Sequence, residues 1–186
     1  MRSVSRVVTI LTVVVMAASA PAMAQSVAEP KSITVTPFLG GSFGTSNDLG
    51  SSLGIGVGVG YDLTRNIGFE FDLGRVFDVA GDDDNIDYKM VTISFNAVYH
   101  FDMKRVTPYA TLGLGWENAD LDVENPDPVA LYPPSTTEVA WNFGGGVKYE
   151  INDRLLARGD IRRFQVNDLT PDHWRLYGGL TFWIKR

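Results

Sequence analysis

The clearest order in the chain is an alternation of large apolar residues with small or polar ones. Leu53, Ile55, Val57, Val59 and Tyr61 are separated by Gly54, Gly56, Gly58 and Gly60. An extended strand points successive side chains to opposite faces, so this segment puts every large apolar group on one side and bare backbone on the other. The same period recurs in Ile33-Val35-Leu39-Phe43, Ile67-Phe69-Phe71-Leu73, Val91-Ile93-Phe95-Ala97-Tyr99-Phe101 and Pro108-Ala110-Leu112-Leu114-Trp116. It continues in Val139-Trp141-Phe143-Val147-Tyr149, Leu155-Ala157-Ile161 and Trp174-Leu176-Leu180-Phe182. No helical spacing is sustained over three turns, so the pattern predicts an all-β chain of eight strands.

The connections alternate in length. Residues 62–66, 102–105 and 152–154 are tight, whereas 44–51, 78–87, 118–136 and 165–172 are longer. Short turns on one rim and long loops on the other are the layout of an up-and-down antiparallel transmembrane β-barrel of the outer membrane, with the short turns periplasmic. Both termini of the mature chain are then expected in the periplasm.

Aromatic spacing points the same way. Trp141 and Tyr149, Trp174 and Phe182, and Phe69 and Phe77 are each eight residues apart. Eight residues at a tilt near 40° rise about 21 Å, close to the ~25 Å apolar band between the aromatic girdles of such barrels. Trp116 joins these as a membrane-interface aromatic.

In this register Glu70, Asp72, Glu138, Lys148, Arg158, Asp160, Arg162 and Arg175 fall on the interior face. An eight-stranded barrel is only wide enough to be filled by side chains, so an ion-pair network across the lumen is expected rather than a water channel. Arg75 and Arg163 fall on the lipid face. Either a bulge turns each inward, or each snorkels to the headgroup level, where a guanidinium can contact lipopolysaccharide phosphates.

Composition narrows the setting. Residues 1–24 carry Arg2 and Arg6, a short apolar run from Val7 to Met16 and a small-residue site at Ala22-Met23-Ala24, the marks of a cleaved signal peptide. The run is too short for a spanning helix. Residues 25–186 are then one domain, with 14 basic residues after loss of the two signal arginines against 22 acidic ones, a net charge of −8. That balance argues against nucleic acid as a partner, and the absence of Cys excludes disulfides and thiolate metal sites.

Four segments carry a family resemblance: residues 108–115 (PYATLGLG), 143–149 (FGGGVKY), 158–164 (RGDIRRF) and 176–182 (LYGGLTF). Together with the rest of the mature chain, they resemble the small outer-membrane β-barrels related to the OmpA and OmpX membrane domains, a porin-type family. The resemblance implies a monomeric barrel in the cell outer membrane, contacts with membrane lipid and lipopolysaccharide, and insertion by the barrel-assembly machinery. Members commonly finish on an aromatic residue, whereas this chain runs past Phe182 and Trp183 to Ile184, Lys185 and Arg186. No peptidoglycan-binding domain is expected after the barrel, so the wall-anchoring role of longer relatives is not implied.

Chemistry is sparse. A lipid A deacylase of this shape places His and Ser two apart on one strand, but the nearest same-face serine to His100 is Ser94, about 20 Å along the strand and far beyond the ~3 Å a nucleophile and its base require. His173 reads as half of an exposed pair with Asp172. Residues 82–87 (DDDNID) offer carboxylates to a cation but lack the central glycine and terminal glutamate of a calcium loop, so no metal and no cofactor is expected. Pro126, Pro128, Pro133 and Pro134 stiffen the longest loop. Two functions stand at this stage: a structural or surface-interaction barrel presenting acidic loops, and a narrow porin or a transporter of small or apolar solutes. Catalysis has no supporting constellation.

Overall fold

The computed structural model describes residues 28–44, 52–77, 86–103, 105–123, 136–166 and 172–186. The signal segment, the acidic loop at 82–85 and the prolines of residues 126–134 lie outside the described residues.

Eight strands follow one another as β1 (Ser32–Gly44), β2 (Ser52–Asp62), β3 (Ile67–Phe77), β4 (Ile86–His100), β5 (Val106–Val123), β6 (Thr136–Asn152), β7 (Leu155–Val166) and β8 (His173–Lys185). Each pairs antiparallel with its sequence neighbours, and β8 closes on β1. The strand ends at Asp62 and Ile67, His100 and Val106, and Asn152 and Leu155 lie on one rim, and the opposite strand ends lie on the other. In the short turns, the Thr64 hydroxyl accepts hydrogen bonds from the backbone N–H groups of Asn66 and Ile67, and the Asn152 side chain accepts one from Arg154.

Closure sets the geometry. From Thr34 the ladder runs through Gly60, Glu70, Asn96, Gly113, Asn142, Phe164 and His173 and returns to β1 at Gly44, ten residues further along. A ten-residue stagger over eight strands tilts them by about 40° and gives a backbone radius of about 8 Å, too narrow for an open pore.

Polar and apolar positions are inverted relative to a water-soluble protein. Leu39, Leu53, Leu112 and Leu114 face outward and are 60–65% exposed, while Glu70, Asn96, His100, Asn142, Arg162 and Arg175 are buried. A continuous outward apolar surface of this extent needs lipid around it. Apart from Phe71, Phe95 and Phe143 in the middle of the band, outward aromatics gather at two levels: Tyr61, Phe69, Tyr99, Tyr149 and Phe182 toward the short-turn rim, and Phe43, Phe77, Trp116, Trp141 and Trp174 toward the long-loop rim. Propagated through the ladder, the two levels lie about 20 Å apart.

Two boundaries differ from the sequence reading. The 118–136 connection is shorter than its polar composition predicts, because β5 keeps pairing with β4 as far as Ile86 opposite Val123. Acidic residues do not end a strand whose backbone partner continues, and this hairpin extends past the apolar band. β4 likewise starts at Ile86, inside the expected loop.

Candidate functional site

The barrel interior holds two charged clusters, each bolting strands that are not neighbours in the sheet. Glu70 and Asp72 come from β3, and Arg158, Asp160 and Arg162 from β7, four strands away and so across the diameter. Arg158 grips both carboxylate oxygens of Glu70, the second at 2.9 Å, and donates to Asp160 at 2.8 Å. Arg162 donates to Asp72 at 2.7 Å, to Glu70 at 2.9 Å and to Asp160 at 3.0 Å. The Tyr109 hydroxyl receives Arg158 Nε at 2.8 Å and donates to Asp160 at 2.7 Å. Asn96 donates to Asp72, and Asn142 to Asn96.

Glycines make this crowding feasible. A Cβ on Gly58 would sit 2.4 Å from the Asp72 carboxylate, and one on Gly146 would sit 2.6 Å from the Tyr109 hydroxyl. The bare face of β2 is therefore the space into which the β3 carboxylates fit.

The second cluster lies nearer the long-loop rim. Arg175 on β8 is hydrogen-bonded to Glu117 on β5, with its guanidinium 4.1 Å from the Phe164 ring centre. Thr92 donates to the same glutamate oxygen at 3.1 Å, and His173 Nε2 lies 3.6 Å from it. Between the clusters remains a void of about 20 Å³, lined by Asp72, Arg162, Arg175 and Tyr177 among others. That is room for about one water molecule.

Of the sequence-derived interior residues, Glu70, Asp72, Arg158, Asp160 and Arg162 are brought into one network and Arg175 into the other. Lys148 points inward at the short-turn end, where its Nζ lies 3.0 Å from His100 Nε2 and over the Tyr109 ring. His100 also lies 3.8 Å from Asp62, which accepts a hydrogen bond from Ser32. Glu138 is half-buried and directly opposite Glu117 in the ladder.

Sequence reasoning missed Glu117 and misplaced His173. Glu117 follows the last apolar residue of its segment, Trp116, and opens a run that reads as loop, yet it shares the inward parity of Thr111, Gly113 and Gly115. His173 is not half of an exposed pair; it is 2% exposed and stacks on Phe164 at 5.4 Å. As the first residue of β8, it takes the inward parity of Arg175.

Among the outward residues, Phe69, Phe77, Trp116, Trp141, Tyr149, Trp174 and Phe182 occupy the two aromatic levels described above. The bulges that would turn Arg75 or Arg163 inward are absent. Arg75 pairs regularly with Ile55 and Val91, and Arg163 with Phe143 and Trp174. The two register shifts lie at Ile33/Thr34 and Glu150/Asn152, on the short-turn rim. Both arginines face outward at the level of the upper aromatics. Arg163 donates to Asp172 at 2.9 Å, where Gln165 also donates, and lies over the Trp174 ring.

The profile of the outer membrane protein beta-barrel domain family matches residues 10–182. The chain belongs to this family. The outer membrane is accordingly its location. No curated protein matches it significantly. Among solved structures, the barrel is similar to the N-terminal β-barrel domain of Pseudomonas aeruginosa OprF, at 20% identity over 83% of this chain and 98% of that one, with a TM-score of 0.60. It is similar to Neisserial surface protein A at 19% identity over 81% and 95% of the two chains, with a TM-score of 0.61. The attachment invasion locus protein Ail of Yersinia pestis is 15% identical over 81% and 97%, with a TM-score of 0.52. At these identities the likeness is one of fold.

Proposed function

We propose that this barrel is a non-catalytic surface protein, which contributes to outer-membrane integrity and presents its long loops for adhesion or lipopolysaccharide contact. The observation that carries the reading is the blocked lumen: two cross-barrel charge clusters leave a void of about 20 Å³ between them. A barrel without a bore acts through its wall and its rims. In this reading the short turns and both termini face the periplasm, so the long loops and the upper aromatic level belong to the outer leaflet. The attachment role in the name of Ail and the surface role in that of Neisserial surface protein A are consistent with it.

Planar-bilayer recording separates this from narrow transport. The reconstituted barrel is expected to give no sustained single-channel steps. Steps whose size responds to Glu70→Lys or Arg158→Glu would overturn the surface reading in favour of a porin. In parallel, immobilised lipopolysaccharide is expected to retain the barrel, with Mg²⁺ reinforcing contact with the acidic loops.

A further inference from the structure

From the lower aromatic level up to and including the upper one, the described outward side chains carry two charges, Arg75 and Arg163, on opposite sides of the barrel. Their surroundings differ. Arg163 already has a counter-ion in Asp172 and a ring partner in Trp174. Arg75 lies 5.2 Å from the Phe77 ring centre, and no carboxylate among the described residues is within ion-pair distance of it.

Beneath Arg75 the wall is hollowed. Ile55, Val57, Leu73 and Val91 border a trough whose floor is the backbone of Gly56 and Gly74, which are direct ladder partners. The floor is held from inside: a Cβ on Gly56 would meet the Phe38 ring at 2.4 Å, so the interior is packed against it. The trough descends from the upper aromatic level toward the middle of the apolar band, with the cation beside Val91 at its upper end and Ile55, Leu73 and Val57 below.

We propose that this trough binds one lipid, its headgroup phosphate on the Arg75 guanidinium and an acyl chain against Ile55, Val57 and Leu73. A planar guanidinium donates two parallel N–H bonds to a phosphate, and Phe77 stacking holds it at the interface. Resting on the orientation argued above, the occupant is a phosphorylated glycolipid of the lipopolysaccharide type. Arg163, neutralised by Asp172, does not form an equivalent site.

Native mass spectrometry of the detergent-solubilised barrel tests this. The probes are bisphosphorylated lipid A, the same lipid with its phosphates removed, phosphatidylglycerol and inorganic phosphate. One lipid A is expected to be retained. Arg75→Gln should reduce its retention at least about tenfold, the scale of losing a charge-assisted hydrogen-bonded pair, while Arg163→Gln leaves it nearly unchanged. Val57→Trp fills the trough from the lipid side and should also expel the lipid, with heat-modifiable gel migration showing that the variant is folded. Equal retention by Arg75→Gln, equal loss by Arg163→Gln, or undiminished binding of the dephosphorylated lipid overturns the site. Phosphatidylglycerol competing as well as lipid A overturns the glycolipid assignment, and displacement by equimolar inorganic phosphate overturns the acyl trough. Any of these results leaves the blocked lumen and the surface role standing, because bilayer recording tests those separately.

Discussion

Arg158 shows how one interior side chain holds the barrel. It touches Glu70, Asp160 and Tyr109 at once, so truncating it leaves Glu70, Asp72 and Asp160 to share the single guanidinium of Arg162. Arg158→Ala is expected to lower stability by roughly 3–5 kcal/mol, measured by urea unfolding in lipid vesicles, because an uncompensated buried charge costs more than the pair contributes. Asp172 behaves differently because it lies near water. The slight burial that would raise its pKa is outweighed by hydrogen bonds from Arg163 and Gln165, which hold it below the ordinary 3.8. A depressed carboxylate stabilises the fold above its unfolded pKa and loses that contribution as pH falls through the folded value. Carboxyl NMR should therefore show Asp172 titrating below 3.8, and Arg163→Gln should move it back up. For a pair so open to solvent screening at the barrel surface the effect on stability is small.

At the scale of the strand, the outward residues are selected by lipid. Leu112 lies about midway between the two aromatic levels, whereas Leu53 lies near the upper one. Leu112→Arg is expected to cost about 2–4 kcal/mol in vesicle-based unfolding and Leu53→Arg about 0–1 kcal/mol. In a water-soluble barrel both substitutions would be harmless, so equal and negligible costs would refute the spanning register. The strands themselves were legible because a period of two survives in any sequence that is apolar on one face and polar on the other. Strand ends were less legible. Glu117 and the residues after it look like loop, since beyond the apolar band neither face of β5 has to be apolar, and only pairing with β4 defines the strand.

At the scale of the molecule, closure decides which residues meet. The ten-residue stagger brings β3 opposite β7 and sets Glu70 against Arg158, residues 88 apart in sequence. The two clusters lie at different depths with their charged residues on different strands, so Arg158→Ala and Glu117→Ala should destabilise independently. Their double variant is expected to equal the sum of the single effects within about 0.5 kcal/mol, and a larger coupling would show the lumen to be one continuous network.

Taken alone, the sequence determined that the chain is all-β, that it has eight strands with unequal rims, and which face of each strand is apolar. Those properties follow from local alternation and turn chemistry. It also indicated that most interior charges face a common lumen, because parity within a strand is local. Only the tertiary structure decided which charge meets which, that Glu117 and His173 are interior, and that Arg163 is neutralised while Arg75 is left over a trough. Those outcomes depend on register and stagger, which belong to the closed sheet and to no single segment of it.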